Sequence, residues 1–223
     1  MVDIFDEVSE DLRQERALRL AKRYGGLLIL AALLVLGGVA GQELWQNHQK
    51  HQAEAAASKY LALTAQVDQP DGQLTQDQAT KTAQALVAFA DSAPETYKTL
   101  ARLRAAGLYA NMNDDKDAAA LWTRVGADEA APTLLRDAAN LLWAQHEIGS
   151  ASDSDILARI QPMVQAQNPY HGLAREVQAL VYLHQGNVAM AKSLFAQVQA
   201  DPGASEGARN LSLIHISEPT RPY

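Results

Sequence analysis

The stretch Arg104-Ala-Ala-Gly-Leu-Tyr-Ala110, followed by Ala118-Ala-Ala-Leu-Trp-Thr-Arg-Val125, has a second copy 73 residues further along the chain. Ala179 stands where Ala106 stands, Tyr182 matches Tyr109, Ala191 matches Ala118, Phe195 matches Trp122 and Val198 matches Val125. In each copy a small residue is followed by an aromatic three positions on, an alanine nine after that and an aromatic four further. Small residues at helical spacing let two helices approach closely, and the aromatics fill the groove between one pair and the next. A chain built this way cannot bury its apolar faces one pair at a time, so it stacks them into a solenoid.

An offset of 73 is about twice the 34-residue tetratricopeptide unit with a few residues inserted, which predicts a degenerate copy in between. Asp137-Ala-Ala-Asn-Leu-Leu-Trp143 supplies it at an offset of 33, and the turn-rich stretch Gly149-Ser-Ala-Ser-Asp-Ser-Asp155 holds the insertion and an N-cap for a helix through Ile160. Residues 52–67 and 75–91 read as an earlier helix pair around the turn Asp68-Gln-Pro-Asp-Gly72. Pro94, Pro132, Pro169 and Pro202 recur near the junctions, where proline can open a helix without removing a needed hydrogen bond. The expectation is four units, the first and third irregular. Aromatics are only 6% of the chain, which agrees with an all-α fold packed through alanine.

Residues 25–41 form an uncharged run, Gly25-Gly-Leu-Leu-Ile-Leu-Ala-Ala-Leu-Leu-Val-Leu-Gly-Gly-Val-Ala-Gly41, at the short end of what crosses a bilayer. Tyr24 and Trp45 bracket it about 31 Å apart along a helix, which would set both rings at headgroup level. Arg13, Arg16, Arg19, Lys22 and Arg23 precede the run, whereas Lys50 and Lys59 alone follow it closely, so the basic-residue bias predicts an inside N-terminus and an outside remainder. A cleaved signal peptide is the alternative, with Gly38 and Ala40 placed for cleavage; the long, mixed-charge leading segment speaks against it. Gly37 and Gly41 are spaced as a close-approach pair for another membrane helix, with ordinary lipid-facing glycine as the default reading. The expected organisation is a cytoplasmic segment over 1–23 with an apolar stripe of Phe5, Val8 and Leu12, a span over 24–45 and a repeat domain over 46–210.

The outer part carries 13 basic and 19 acidic residues between Gln42 and Asn210, which argues against anionic lipid and nucleic acid as its partners. Cysteine is absent, which removes disulfides, thiolate metal sites and thiol nucleophiles. His48 and His51 lack a third metal ligand, and Asn111-Met-Asn-Asp-Asp-Lys-Asp117 begins like a calcium loop but has Lys116 where glycine is needed and Trp122 where glutamate is needed. That stretch reads as a polar turn with Asp114 or Asp115 as N-cap. His146, His171 and His184 pair with no nucleophile motif, so no catalytic, cofactor or metal residue is assigned. Arg102, Asn111, Asn140 and Glu176 are the expected exposed residues of a concave A-helix surface.

The N-terminal Asp3-Ile-Phe-Asp-Glu-Val8, the arginine-studded helix to Arg23-Tyr-Gly25, the single span and the alanine-rich repeats resemble the bacterial ancillary SecYEG translocon subunit family, YfgM-like proteins. The resemblance implies an inner-membrane anchor, periplasmic repeats, and association with the translocon and a membrane-bound PpiD-like foldase. It implies no catalysis. A bitopic repeat adaptor for envelope assembly or division would have the same composition. The last thirteen residues, Leu211-Ser-Leu-Ile-His-Ile-Ser-Glu-Pro-Thr-Arg-Pro-Tyr223, abandon the alanine-rich style and resemble a translated sequencing adapter. The native sequence is therefore expected to stop at about Asn210, inside a helix continuing from Ala204.

Overall fold

The computed structural model describes the backbone of residues 4–67 and 74–217, and the side chains of residues 34–67, 74–210 and 212. The chain divides into two compact units, residues 1–55 and 56–223. Among the described residues every regular element is helical. The first helix, α1, spans Ile4–Thr64.

In the second unit the order is α2 (Gln76–Ala90), α3 (Glu95–Asn111), α4 (Asp115–Gly126), α5 (Thr133–His146), α6 (Asp153–Ile160), a 3-10 turn (Gln161–Met163), α7 (His171–His184), α8 (Val188–Ala200) and α9 (Glu206–Ser217). Each helix packs on the next, and α3 also meets α5, α5 meets α7 and α7 meets α9. That second set, between alternate helices, is what makes a solenoid of pairs. The expected irregular third unit is the pair α5–α6, whose second helix has only 8 residues and runs into the 3-10 turn.

The helix boundaries follow from local chemistry. Thr75 caps α2 with a capping box to Gln78, its side chain accepting from the Gln78 N–H. Asp114 and Asn187, 73 residues apart, cap α4 and α8 through the N–H groups of Asp117 and Met190, and Ser152 caps α6 through that of Asp155. Just before the first two stand Asn113 and Gly186, both in the left-handed region at φ 59° and 76°, so both copies turn with the same backbone device. Pro94 and Pro132 stand at the N-caps of α3 and α5. The polar run over 111–117 is the α3–α4 turn, with Asp114 the cap.

Alanine lets these helices close on one another. Ala83, Ala90, Ala101, Ala105, Ala106, Ala118 and Ala139 are buried around Leu86, Trp122 and Val125 in the first core. Ala56, Tyr60 and Leu63 also pack on that core, with the Tyr60 and Tyr97 rings 6.1 Å apart. The second core gathers Leu141, Ile156, Ile160, Met163, Val177 and Val181, and Ala179, Ala191, Leu194 and Phe195 form a third. The closest backbone approach involves Gly172 on α7: a Cβ there would lie 2.8 Å from the Ala204 Cβ and 3.2 Å from its Cα. Gly172→Val is expected to lower stability by about 1–3 kcal/mol, because backbone cannot swing aside as a side chain tip can. Chemical denaturation of the variant beside the native chain measures the loss.

In the first unit, Leu34, Val35, Leu36, Val39, Leu44 and Trp45 are all exposed, and a Cβ at Gly37, Gly38 or Gly41 would meet nothing within 4 Å. Among the described residues no helix is long and apolar enough to cross a membrane. The expected span is described only in part, since Tyr24, Gly25 and the rest of residues 24–33 lie outside the described side chains. The segment 1–23, with Phe5, Val8 and Leu12, lies outside them as well, as do residue 211 and residues 213–223 of the C-terminal stretch.

Candidate functional site

The residues matched across the two repeat copies sit as follows. Ala106, Ala118, Trp122, Ala179, Ala191 and Phe195 are buried at 1% exposure or less, and Tyr109 and Tyr182 are half-buried against the cores. Burial pushes the Tyr109 hydroxyl up, with Asp117 and Asp114 adding to the effect. The Trp122 ring lies 4.7 Å from that of His146, which accounts for one of the scattered histidines. His184 faces Asp153 at 3.3 Å, and His48 and His51 meet Gln52 and Glu54 on an exposed helix surface. Among the described residues no group of three metal-binding side chains converges.

Two of the four residues expected on an exposed concave surface are engaged in packing or pairing, one is buried and one is exposed. Asn111 is exposed. Asn140 is half-buried against α4, where a Cβ on Gly126 would lie 2.2 Å from its Oδ1. Arg102 reaches from α3 to Asp128 in the α4–α5 loop at 3.4 Å. Glu176 is a correction: it is only 4% exposed, on a helix that packs against α5, α6, α8 and α9, and Gly172 one turn earlier lies against Ala204 and Ala208. Burial pushes its carboxyl up to about 7, and its Oε2 has no hydrogen-bond partner among the described residues.

Beside Glu176 lies a charged cluster that sequence reading passed over. Asp201, in the α8–α9 loop, accepts from Arg175 Nη1 at 2.8 Å and faces His171 Nε2 at 3.0 Å. Its other oxygen accepts the Gly203 N–H at 2.9 Å. That backbone donor, followed by His171 and Arg175, holds its carboxyl below the usual range, against a partial desolvation. The pair Arg175–Asp201 is the copy, 73 residues on, of Arg102–Asp128, and Asp128 likewise accepts a backbone N–H two residues ahead, from Ala130. Comparing charged positions at the offset already found for alanines and aromatics would have exposed this bracket between an A helix and the loop ahead of the next.

Two shallow grooves open on the surface. One of about 450 Å³ is lined by Val67, Leu74, Ala79, Leu108 and Met112, and another of about 440 Å³ by Leu134, Asp137, Pro162, Gln165 and Pro169. Neither gathers a nucleophile, a base and a donor set for a developing charge. Arg159 lies 3.6 Å over the Trp143 ring and donates to Thr123 Oγ1 at 3.2 Å, so it ties α6 to α4 and α5.

Stacked antiparallel pairs with small residues at the crossings, recurrent left-handed turns and a repeated Arg–Asp bracket define an α-solenoid of protein-binding type. The chain belongs to the tetratricopeptide repeat-like domain family, which matches residues 20–216. No curated protein and no solved structure matches it. Domains of this family are generally non-catalytic scaffolds, and what the family implies for this chain is a protein–protein interaction scaffold.

Proposed function

We propose that the chain is a membrane-anchored periplasmic scaffold, an ancillary subunit of the SecYEG translocon that brings a PpiD-like foldase to emerging chains. The observation that carries this reading is the helix surface over 34–45, where six large apolar side chains and three glycines lie exposed together ahead of the repeat domain. Exposed apolar surface on this scale is covered by lipid or by another protein in a stable molecule. The apolar run continues upstream to Gly25, with five basic residues before it, and the N-terminal residues resemble the translocon-subunit family. In this reading the N-terminus is cytoplasmic and the span places the repeats beside the channel exit, raising their effective concentration there without a chemical step.

Affinity purification from membranes in mild detergent tests the proposal. SecY and a PpiD-like foldase are expected to co-purify with the native chain and to be lost when residues 25–41 are exchanged for an unrelated span. Recovery of division or wall-assembly proteins in their place would overturn the translocon reading in favour of an envelope adaptor. Extraction of the chain from membranes by alkaline carbonate would overturn the anchor itself.

A further inference from the structure

His171 opens α7 and is 6% exposed, with acceptors on both sides of its ring. Nδ1 lies 2.7 Å from the carbonyl oxygen of Asn168, and Nε2 lies 3.0 Å from Asp201 Oδ2. A neutral imidazole has one N–H, whereas the imidazolium has two. Both contacts are therefore attractive only in the doubly protonated ring. In either neutral tautomer one nitrogen lone pair points at a lone pair of its neighbour, at 2.7 or 3.0 Å.

Asp201 is also where α9 is attached. The same loop puts Gly203 against the His171 ring, where a Cβ would be 3.2 Å from Cε1, and Ala204 against Gly172. Arg175 supplies a permanent contact to Asp201, as Arg102 does to Asp128 in the earlier copy. The residue equivalent to His171 in that copy is Lys98, which pairs with Glu95 on its own helix. The titratable third contact thus distinguishes this joint from its copy 73 residues earlier.

We propose that protonation of His171 is a pH-operated clasp, which seats the α8–α9 loop and α9 on α7 when the ring is charged and loosens them when it is neutral. Histidine is the side chain whose charge ordinarily changes between pH 5 and 8. Among the described residues the charged groups around it are these. Arg175 and Glu176 belong to its own helix, Asp201 comes from the α8–α9 loop, and α5 contributes Asp137, bonded to the Asn168 amide at 2.7 Å. From α9 come Glu206, exposed, and Arg209, half-buried. Arg175 and the Asn168 loop keep α7 and Asp201 in place in both states, so the clasp modulates one joint of the scaffold and leaves the stack folded.

Hydrogen exchange read by mass spectrometry on the full chain in mild detergent tests this, with rates divided by the intrinsic chemical rate at each pH. Protection of residues 201–210 is expected to fall about tenfold or more between pH 5.5 and 8.5, the scale of one lost charge-assisted hydrogen bond. With Glu176→Gln present to remove the neighbouring carboxyl, His171→Gln should show the weak protection at both values, and His171→Lys, which carries a permanent charge, should lose the pH dependence. Glu176→Gln is the control for the neighbouring carboxyl and should retain it. Should His171→Gln fail to fold, ring-nitrogen chemical shifts of the native protein decide: an imidazolium at pH 6 and a neutral ring at pH 8.5 support the clasp, and a ring neutral throughout overturns it. Protection in Glu176→Gln that does not change with pH, or a change that survives when His171→Gln is added to it, overturns it equally.

Discussion

Trp122→Ala is expected to remove about 3–5 kcal/mol of stability, a large share of the 5–15 kcal/mol that holds a typical domain together. The side chain is 1% exposed and sits on α4 at the centre of the first core, among Ala118, Leu121, Val125 and Ala139. Half of those neighbours are alanines and all lie on rigid helices, so they cannot collapse into the space that an indole leaves. Its ring also covers that of His146 on α5, which ties the loss to two successive units. Urea unfolding followed by far-UV circular dichroism should show the midpoint falling steeply, and a shift below about 1 kcal/mol would mean that α4 is not a packing centre. Trp122→Phe separates volume from polarity. The indole Nε1 is buried with no hydrogen-bond partner among the described residues, so the phenyl ring loses contacts but also removes an unsatisfied donor. Its cost should stay within about 1.5 kcal/mol.

The repeat was legible because its determinants are local in type and periodic in position. Alanines at 106, 118, 179 and 191 permit close crossings wherever they fall on a helix, and capping residues at 114 and 187 act on their own first turns. Asn113 and Gly186 differ in identity yet serve one turn, which is why an alignment built on small and aromatic residues passed between them unmarked. The Arg–Asp brackets were missed for a different reason. Each joins residues 26 apart in different elements, and a charge in a solvated run looks the same in sequence whether or not a partner reaches it. Glu176 was placed on an exposed face because the pattern of α7 alone leaves it there, and the elements that pack around α7, α9 among them, decide otherwise. That helix runs through Asn210 into the residues whose style departs from the rest, so the environment of Glu176 was the hardest to foresee. The expected membrane segment stands apart, since its composition is plain but much of it lies outside the described side chains.

Glu176 also sets the direction in which stability should change with pH. Its carboxyl is raised from 4.5 to about 7 by burial, so between those values the folded chain binds a proton that the unfolded chain has released. The stability associated with that proton is fully present below pH 4.5 and is lost as pH rises through 7. The expected loss is about 3 kcal/mol, after which stability levels off. Asp201 works in the opposite direction and a separate window: its depressed carboxyl stabilises above its ordinary value of 3.8 and that contribution is lost on acidification. A stability maximum near pH 5 follows from the two together. Glu176→Leu places at this position the residue that Leu103 supplies in the earlier copy, and it should raise stability at pH 8 by about 2–3 kcal/mol while changing little at pH 5. Urea midpoints at the two values measure both effects. A slope that remains in Glu176→Leu and disappears when His171→Gln is added belongs to the clasp proposed at His171. A native midpoint that rises from pH 5 to pH 8 would show that the buried carboxyl is ionised and paired in solution, and would remove the basis for both expectations.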